Sequence, residues 1–146
     1  MKTNEELLRD AVNAATAIRQ VAEDLRGRAT IGVDEFANRI NSIQHAFDRV
    51  KPLLQLTVEE VQQEARRLFG HRAPADVFGL VAEAQAAGAR VVEVAHTQVY
   101  DPDVRAAHAS DLAAGVYHRR NLAGTDLGPL ATPLDELIAA LGPVAG

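Results

Sequence analysis

Two stretches of the chain carry an unbroken three-four spacing of apolar positions. The first runs Leu7, Ala11, Ala14, Ile18, Val21, Leu25 and the second Val33, Phe36, Ile40, Ile43, Phe47, Val50. A repeat of 3.5 residues keeps one side of a helix continuously dry, so both stretches predict helices that pack along their length. Only Arg26–Gly32 joins them, which predicts an antiparallel helical hairpin with small Ala11 and Ala14 letting the axes approach closely. Leu7, Ala11, Ala14, Ile18, Val21, Leu25, Phe36, Ile40, Ile43 and Phe47 are therefore the candidate interface residues. Spacing alone leaves open whether that seam closes within one chain or between chains.

Polar punctuation sets the helix ends. Thr3 followed by Glu6 has the spacing of a capping box, and Gly27 stands where a left-handed residue often closes a helix, so the first helix is expected over residues 4–26. The second should open near Val33, with Asp34 and Glu35 complementing the helix dipole and Glu35 pairing with Arg39 one turn on. It must stop by Lys51, because Pro52 disfavours helical dihedrals in the residue before it. Thr57 and Glu60 repeat the capping spacing, Val58, Val61, Ala65 and Leu68 form a stripe, and Gly70 closes a third helix.

Pro74 suits the first turn of a fourth helix with apolar positions Val77, Val81, Ala84, Val91, Ala95 and Val99, running through Gly88. The β-branched run Val91–Tyr100 also fits a single strand near residues 91–100. A lone strand would lack a partner in this chain, whereas Gly88 inside a helix costs only about 1 kcal/mol, so helix is the expectation. Asp101 and Pro102 open a fifth helix carrying Ala109, Leu112, Ala113, Val116 and Tyr117, which frays after Arg120. Residues 121–131 form a connection, and Thr132 with Pro133 restarts a short helix through Leu134, Leu137, Ile138 and Leu141 that Gly142 and Pro143 end. The expected fold is all-α: one domain of five to six helices built on the N-terminal hairpin, residues 4–50, with the remaining helices in 57–142.

Composition narrows this picture. The 146 residues suit one domain, yet only 4% are aromatic, Trp is absent, and Ala dominates the apolar fraction. A core of this kind is thin and depends on close helix contacts, within or between subunits. The absence of Cys removes disulfides, thiolate metal sites and thiol nucleophiles together. No apolar run reaches the roughly 18 residues of a membrane span, and the N-terminal residues show no targeting pattern, so a cytoplasmic or virion location is expected, neither secreted nor membrane. The net charge of -5, with Lys2 and Lys51 the only lysines, repels a phosphate backbone and makes nucleic acid a disfavoured partner.

Candidate chemistry concentrates between the fourth and fifth helices, in Glu93, His96, Asp101, Asp103, His108, Asp111 and His118. Asp111 and His118 are seven residues apart and share a helix face, with His108 one turn before Asp111, so His108, Asp111 and His118 are the candidate metal or acid-base group. Glu93 to His96 is the only E-x-x-H, where a di-iron bundle needs two. Arg66, Arg67, His71 and Arg72 form the densest basic cluster, and Thr57–Gly88 has the outline of a helix-turn-helix. Its second helix offers Asp76, Glu83 and Gln85 rather than arginines, the wrong charge for a groove reader. Gly124–Gly128 lacks the Lys-Ser/Thr ending of a phosphate loop, and neither Ser42 nor Ser110 has the setting of a nucleophile. No cofactor is expected. The function expected is a non-enzymatic structural or interaction subunit of a symmetric homo-oligomer or larger assembly such as a virion. The alternatives are a small helical enzyme or ligand-binding domain using the His/Asp group, and a nucleic-acid-associated regulator.

Overall fold

In the computed structural model, residues 2–28, 30–96 and 125–145 are described. The expected fifth helix, Val99, and the candidate group His108, Asp111 and His118 lie outside them. The architecture is an all-α bundle. Five α-helices are present among the described residues: α1 Asn4–Arg26, α2 Val33–Asp48, α3 Val58–Phe69, α4 Val77–Val94 and α5 Ala131–Ala145.

Local chemistry sets the starts of the first four. The Thr3 hydroxyl accepts the Glu6 N–H at 3.1 Å at the head of α1. At α3 both arms of the capping box are made, with Glu60 N–H donating to Thr57 Oγ1 at 3.0 Å and Thr57 N–H to Glu60 Oε1 at 3.1 Å. Asp34 and Glu35 stand in the first turn of α2, where the dipole favours them. The chain tightens into a 3-10 turn, Lys51–Gln55, around Pro52 once α2 has ended at Asp48.

Three expectations are corrected and one alternative is removed. Pro74 is not in the first turn of α4: the helix begins at Val77, because Asp76 is the N-cap and its Oδ1 accepts the Gly79 N–H at 3.0 Å. Instead the Pro74 carbonyl accepts from Gln62 Nε2 at 2.7 Å, while Gln62 Oε1 accepts the Val77 N–H at 3.0 Å, so one α3 side chain fixes the entry to α4. Gly27 is right-handed, with φ -78°, and the left-handed conformation is used at Gly70, with φ 62°. The strand considered near residues 91–100 is overturned up to His96, since α4 continues through Gly88 to Val94 and closes in a π turn at residues 95 and 96. Burial decides this, because Val91, Val94 and Ala95 all face the core at helical spacing. Finally, Gly142 and Pro143 do not end α5, which runs to Ala145. Pro143 sits in the last turn, and carrying the helix past it buries Val144 beside a cleft shared with Leu68, Phe69 and Pro74.

The only extended pairing among the described residues is a two-residue antiparallel ladder of β1 Thr30–Ile31 with β2 Thr125–Asp126, Thr30 opposite Asp126. It joins the α1–α2 connection to the segment that leads, through a 3-10 turn at Gly128–Leu130, into α5.

α1 packs most extensively against α5, then against α2 and α3, and α5 in turn lies against α4. The predicted hairpin of α1 and α2 is thus one side of a larger assembly of helices. Its joint is bound by charge: Arg28 reaches Glu35 at 2.9 Å and Asp24 at 3.4 Å, and Arg39 reaches the same two carboxylates at 3.5 and 3.6 Å. These are partly exposed pairs, each worth under about 1 kcal/mol, that fix the angle of the joint more than its strength. At the other face, Arg26 Nε meets Asp135 Oδ1 at 2.7 Å, so the end of α1 meets the start of α5.

The buried apolar residues form one contiguous cluster drawn from all five helices. On α1 it includes Leu8, Ala11, Ala14, Ala15, Ile18, Ala22 and Leu25. Gly88 shows how close the packing is, because a Cβ built there would overlap the ring of Phe47 on α2. Helix propensity alone favours Ala over Gly by about 1 kcal/mol. Gly88→Ala is nevertheless expected to destabilise the protein by about 1–3 kcal/mol through forced displacement of the Phe47 ring, and a stabilised variant in urea unfolding would show that ring to be loosely held.

Glu60 carries a pH consequence. Its carboxyl is held below the ordinary value of 4.5, first by the Thr57 backbone N–H and then by the Thr57 side chain and Asn4, whose Nδ2 lies 3.3 Å from Oε2. A lowered carboxyl pKa in the fold contributes stability that is complete above the unfolded value and is lost as pH falls through the folded one. Glu60→Gln should therefore lose less stability than the parent as pH drops below about 4.5, and acid unfolding curves that stay parallel would contradict this.

Candidate functional site

The residues singled out by spacing divide into three groups. The seam residues come together: Ala11, Ala14, Ile18, Leu25, Phe36, Ile40, Ile43 and Phe47 are buried in the core of the chain itself, and Leu7 and Val21 are half-buried against it. The single α1 seam understates the dry face. Leu8, Ala15 and Ala22 are also buried, on a second three-four track that shares Ala11, Ile18 and Leu25 with the first. That second track was visible in the sequence as Leu8, Ala15 and Ala22, and its presence was the signal that α1 serves more than one neighbour.

Of the titratable candidates between the fourth and fifth helices, Glu93 and His96 alone lie among the described residues. Glu93 and His96 are exposed at the end of α4, His71 is exposed on the turn Gly70–Arg72, and His45 is exposed on α2. No group of three or more His, Asp or Glu suited to a metal ion occurs among the described residues. Within the basic cluster, Arg67 turns back to Glu64 at 3.4 Å while Arg66, His71 and Arg72 are exposed, and elsewhere Arg26 and Arg28 are occupied by carboxylates of this chain. Among the described residues no helix is long and apolar enough to cross a membrane.

Among the grooves of the described residues, two combine apolar walls with charges of both signs. The first, of about 500 Å³, lies between α2 and α4 and is lined by Phe47, Gly88 and Val92 with His45, Asp48, Lys51 and Gln85 around them. Lys51 Nζ and Asp48 Oδ1 are 3.2 Å apart. Gln85 lines this groove, and its Oε1 is buried with no hydrogen-bond partner among the described residues.

The second groove, of about 550 Å³, runs between α4 and α5. Arg90 lies beside Glu136 and Leu80 lines the same groove as Pro143, so the two helices run antiparallel. Its walls are Leu80, Glu83, Ala86, Ala87 and Arg90 from α4 and Glu136, Ala139, Ala140 and Pro143 from α5. Arg90 Nε stands 3.9 Å from Glu136 Oε2 with both side chains more than half exposed, a contact too long for a hydrogen bond. Four alanines on adjoining turns leave the helix backbones accessible, so this surface can take another helix at short range. Sequence reasoning missed this surface. The signal was the pair of Ala-Ala steps at 86–87 and 139–140, each three residues after a glutamate.

The chain matches no protein-family model, no curated protein and no solved structure.

The seam yields its own test. Ile43 is fully buried in its own chain, so Ile43→Asp should cost several kcal/mol, about 3–5 for an unpaired buried charge. The loss should appear as unfolding by circular dichroism at every protein concentration; a variant that stayed helical and merely dissociated would place the seam between chains.

Proposed function

We propose that the chain is a non-enzymatic structural or interaction subunit, working within a symmetric homo-oligomer or a larger multi-subunit assembly, of which a virion is one example, in the cytoplasm or in such a particle. The observation that carries this is the α4–α5 groove, where an alanine-lined floor open to a helix is bordered by charges of both signs. Helices associate where small side chains let their axes approach and where flanking charges fix the register. Because α1 and α2 spend their apolar seams inside the chain, association falls to the outer face, and α4 with α5 offers the alanine-rich part of it.

The charge distribution supports a protein partner over nucleic acid. Arg9, Arg19, Arg26, Arg28, Arg39 and Arg67 each lie within ion-pair distance of a carboxylate of the same chain, and the net charge of -5 opposes a phosphate backbone. A second interpretation, a ligand-binding domain, has one observation in its favour: the buried, unpartnered Gln85 carbonyl at the α2–α4 groove, floored by Phe47.

One measurement separates the two. Native mass spectrometry of the full chain near physiological salt should give a defined oligomer of unmodified subunits. A monomer that retains a stoichiometric small molecule or metal would overturn the assembly function and make a binding domain the working assignment.

A further inference from the structure

The groove between α4 and α5 has a charge pattern that specifies its occupant. Along the exposed side of α4 the order is Glu83, Ala86, Ala87, Arg90, an acid and a base placed symmetrically about the 86–87 peptide bond. A parallel neighbour of the same sequence would set Glu83 against Glu83 and Arg90 against Arg90. An antiparallel neighbour related by a two-fold axis through Ala86 and Ala87 sets Glu83 against Arg90 twice, which is the self-complementary arrangement an isologous interface requires. On α5, Glu136, Ala139 and Ala140 repeat the acid-small-small spacing and widen the same floor.

We infer that a second copy of this chain docks in this groove, α4 against α4 in antiparallel register, with Glu83 and Arg90 of each copy paired across the two-fold axis. The inference rests on the self-association proposed above and adds to it the surface, the direction and the two residues that set the register. Arg90 is able to serve because its present contact with Glu136 is long and solvent-exposed, so re-pairing it gives up little. The alanines matter as much as the charges. With no side chain beyond Cβ at 86, 87, 139 and 140, the two α4 helices approach closely enough for residues at the flanks to meet.

The test is a charge-reversal set on the full chain, followed by sedimentation velocity across a concentration series, with helicity checked by circular dichroism. All substituted positions are exposed, so the variants keep the fold. Glu83→Arg and Arg90→Glu should each weaken self-association by about tenfold or more, since each sets like charges opposite one another twice. Mixed in equal amounts, the two single variants should associate with each other, because every facing pair is then opposite in sign. The double variant Glu83→Arg with Arg90→Glu should regain self-association. If the wild type assembles but the single variants assemble equally well, or the mixture gains nothing, the α4 pairing is wrong while self-association stands. A wild type that remains monomeric throughout overturns both, and leaves the groove to solvent or to a partner of different sequence.

Discussion

The structure depends on the burial of α5 between α1 and α4. α5 and the turn before it bring Leu130, Leu134, Leu137 and Leu141, all among the largest fully buried side chains, whereas α1 brings mostly alanine to the same core. Large side chains on one helix set against small ones on the next let the layers interdigitate at short axial distance. At about 1.5–3 kcal/mol for each buried leucine, this packing is the largest favourable contribution that an almost aromatic-free sequence has available. The α1–α2 hairpin, by contrast, contributes a second seam whose joint is tuned by four partly exposed charges.

The helix boundaries were legible wherever a short-range interaction sets them. Thr3 with Glu6, and Thr57 with Glu60, announce α1 and α3 because an N-cap needs only residues within one turn. The start of α4 was misplaced by three residues because Pro74 gave a generic helix-opening signal. The deciding contact came from Gln62 on another helix, twelve residues away from Pro74. The ladder of Thr30–Ile31 with Thr125–Asp126 was illegible because two residues are too few to show an alternating pattern and their partners are distant in the chain. Gly142-Pro143 gave a stop signal that the burial of Val144 overrides.

The surface residues were hardest to see. A periodicity search rewards the driest positions, and those turned out to be the ones the fold consumes internally. Ala86, Ala87, Ala139 and Ala140 do not stand out in such a search, because alanine is equally at home in a core, on a surface or in an interface. What marks them is the pairing of two helices from distant parts of the chain, which aligns two unremarkable Glu-x-x-Ala-Ala segments along one groove. Of the histidines, His45, His71 and His96 are exposed and far apart in the chain, while His108 and His118 lie outside the described residues.

The groove between α4 and α5 is a product of chain closure rather than of either helix alone. α5 lies against α1 and α4 alike, and the β1–β2 ladder ties the segment before α5 to the α1–α2 connection. Contacts so distant in sequence carry a loop-closure cost that must be met before they reward the chain, so they form together with the rest of the core. A partner that reads Glu83 and Arg90 against a floor shared with α5 therefore recognises the folded chain and ignores its unfolded form. By mass action, such binding also stabilises the fold it recognises. For a thin alanine-rich core this coupling has physical weight: the side chains that are too small to fill the outer groove within one copy are small enough to admit a second.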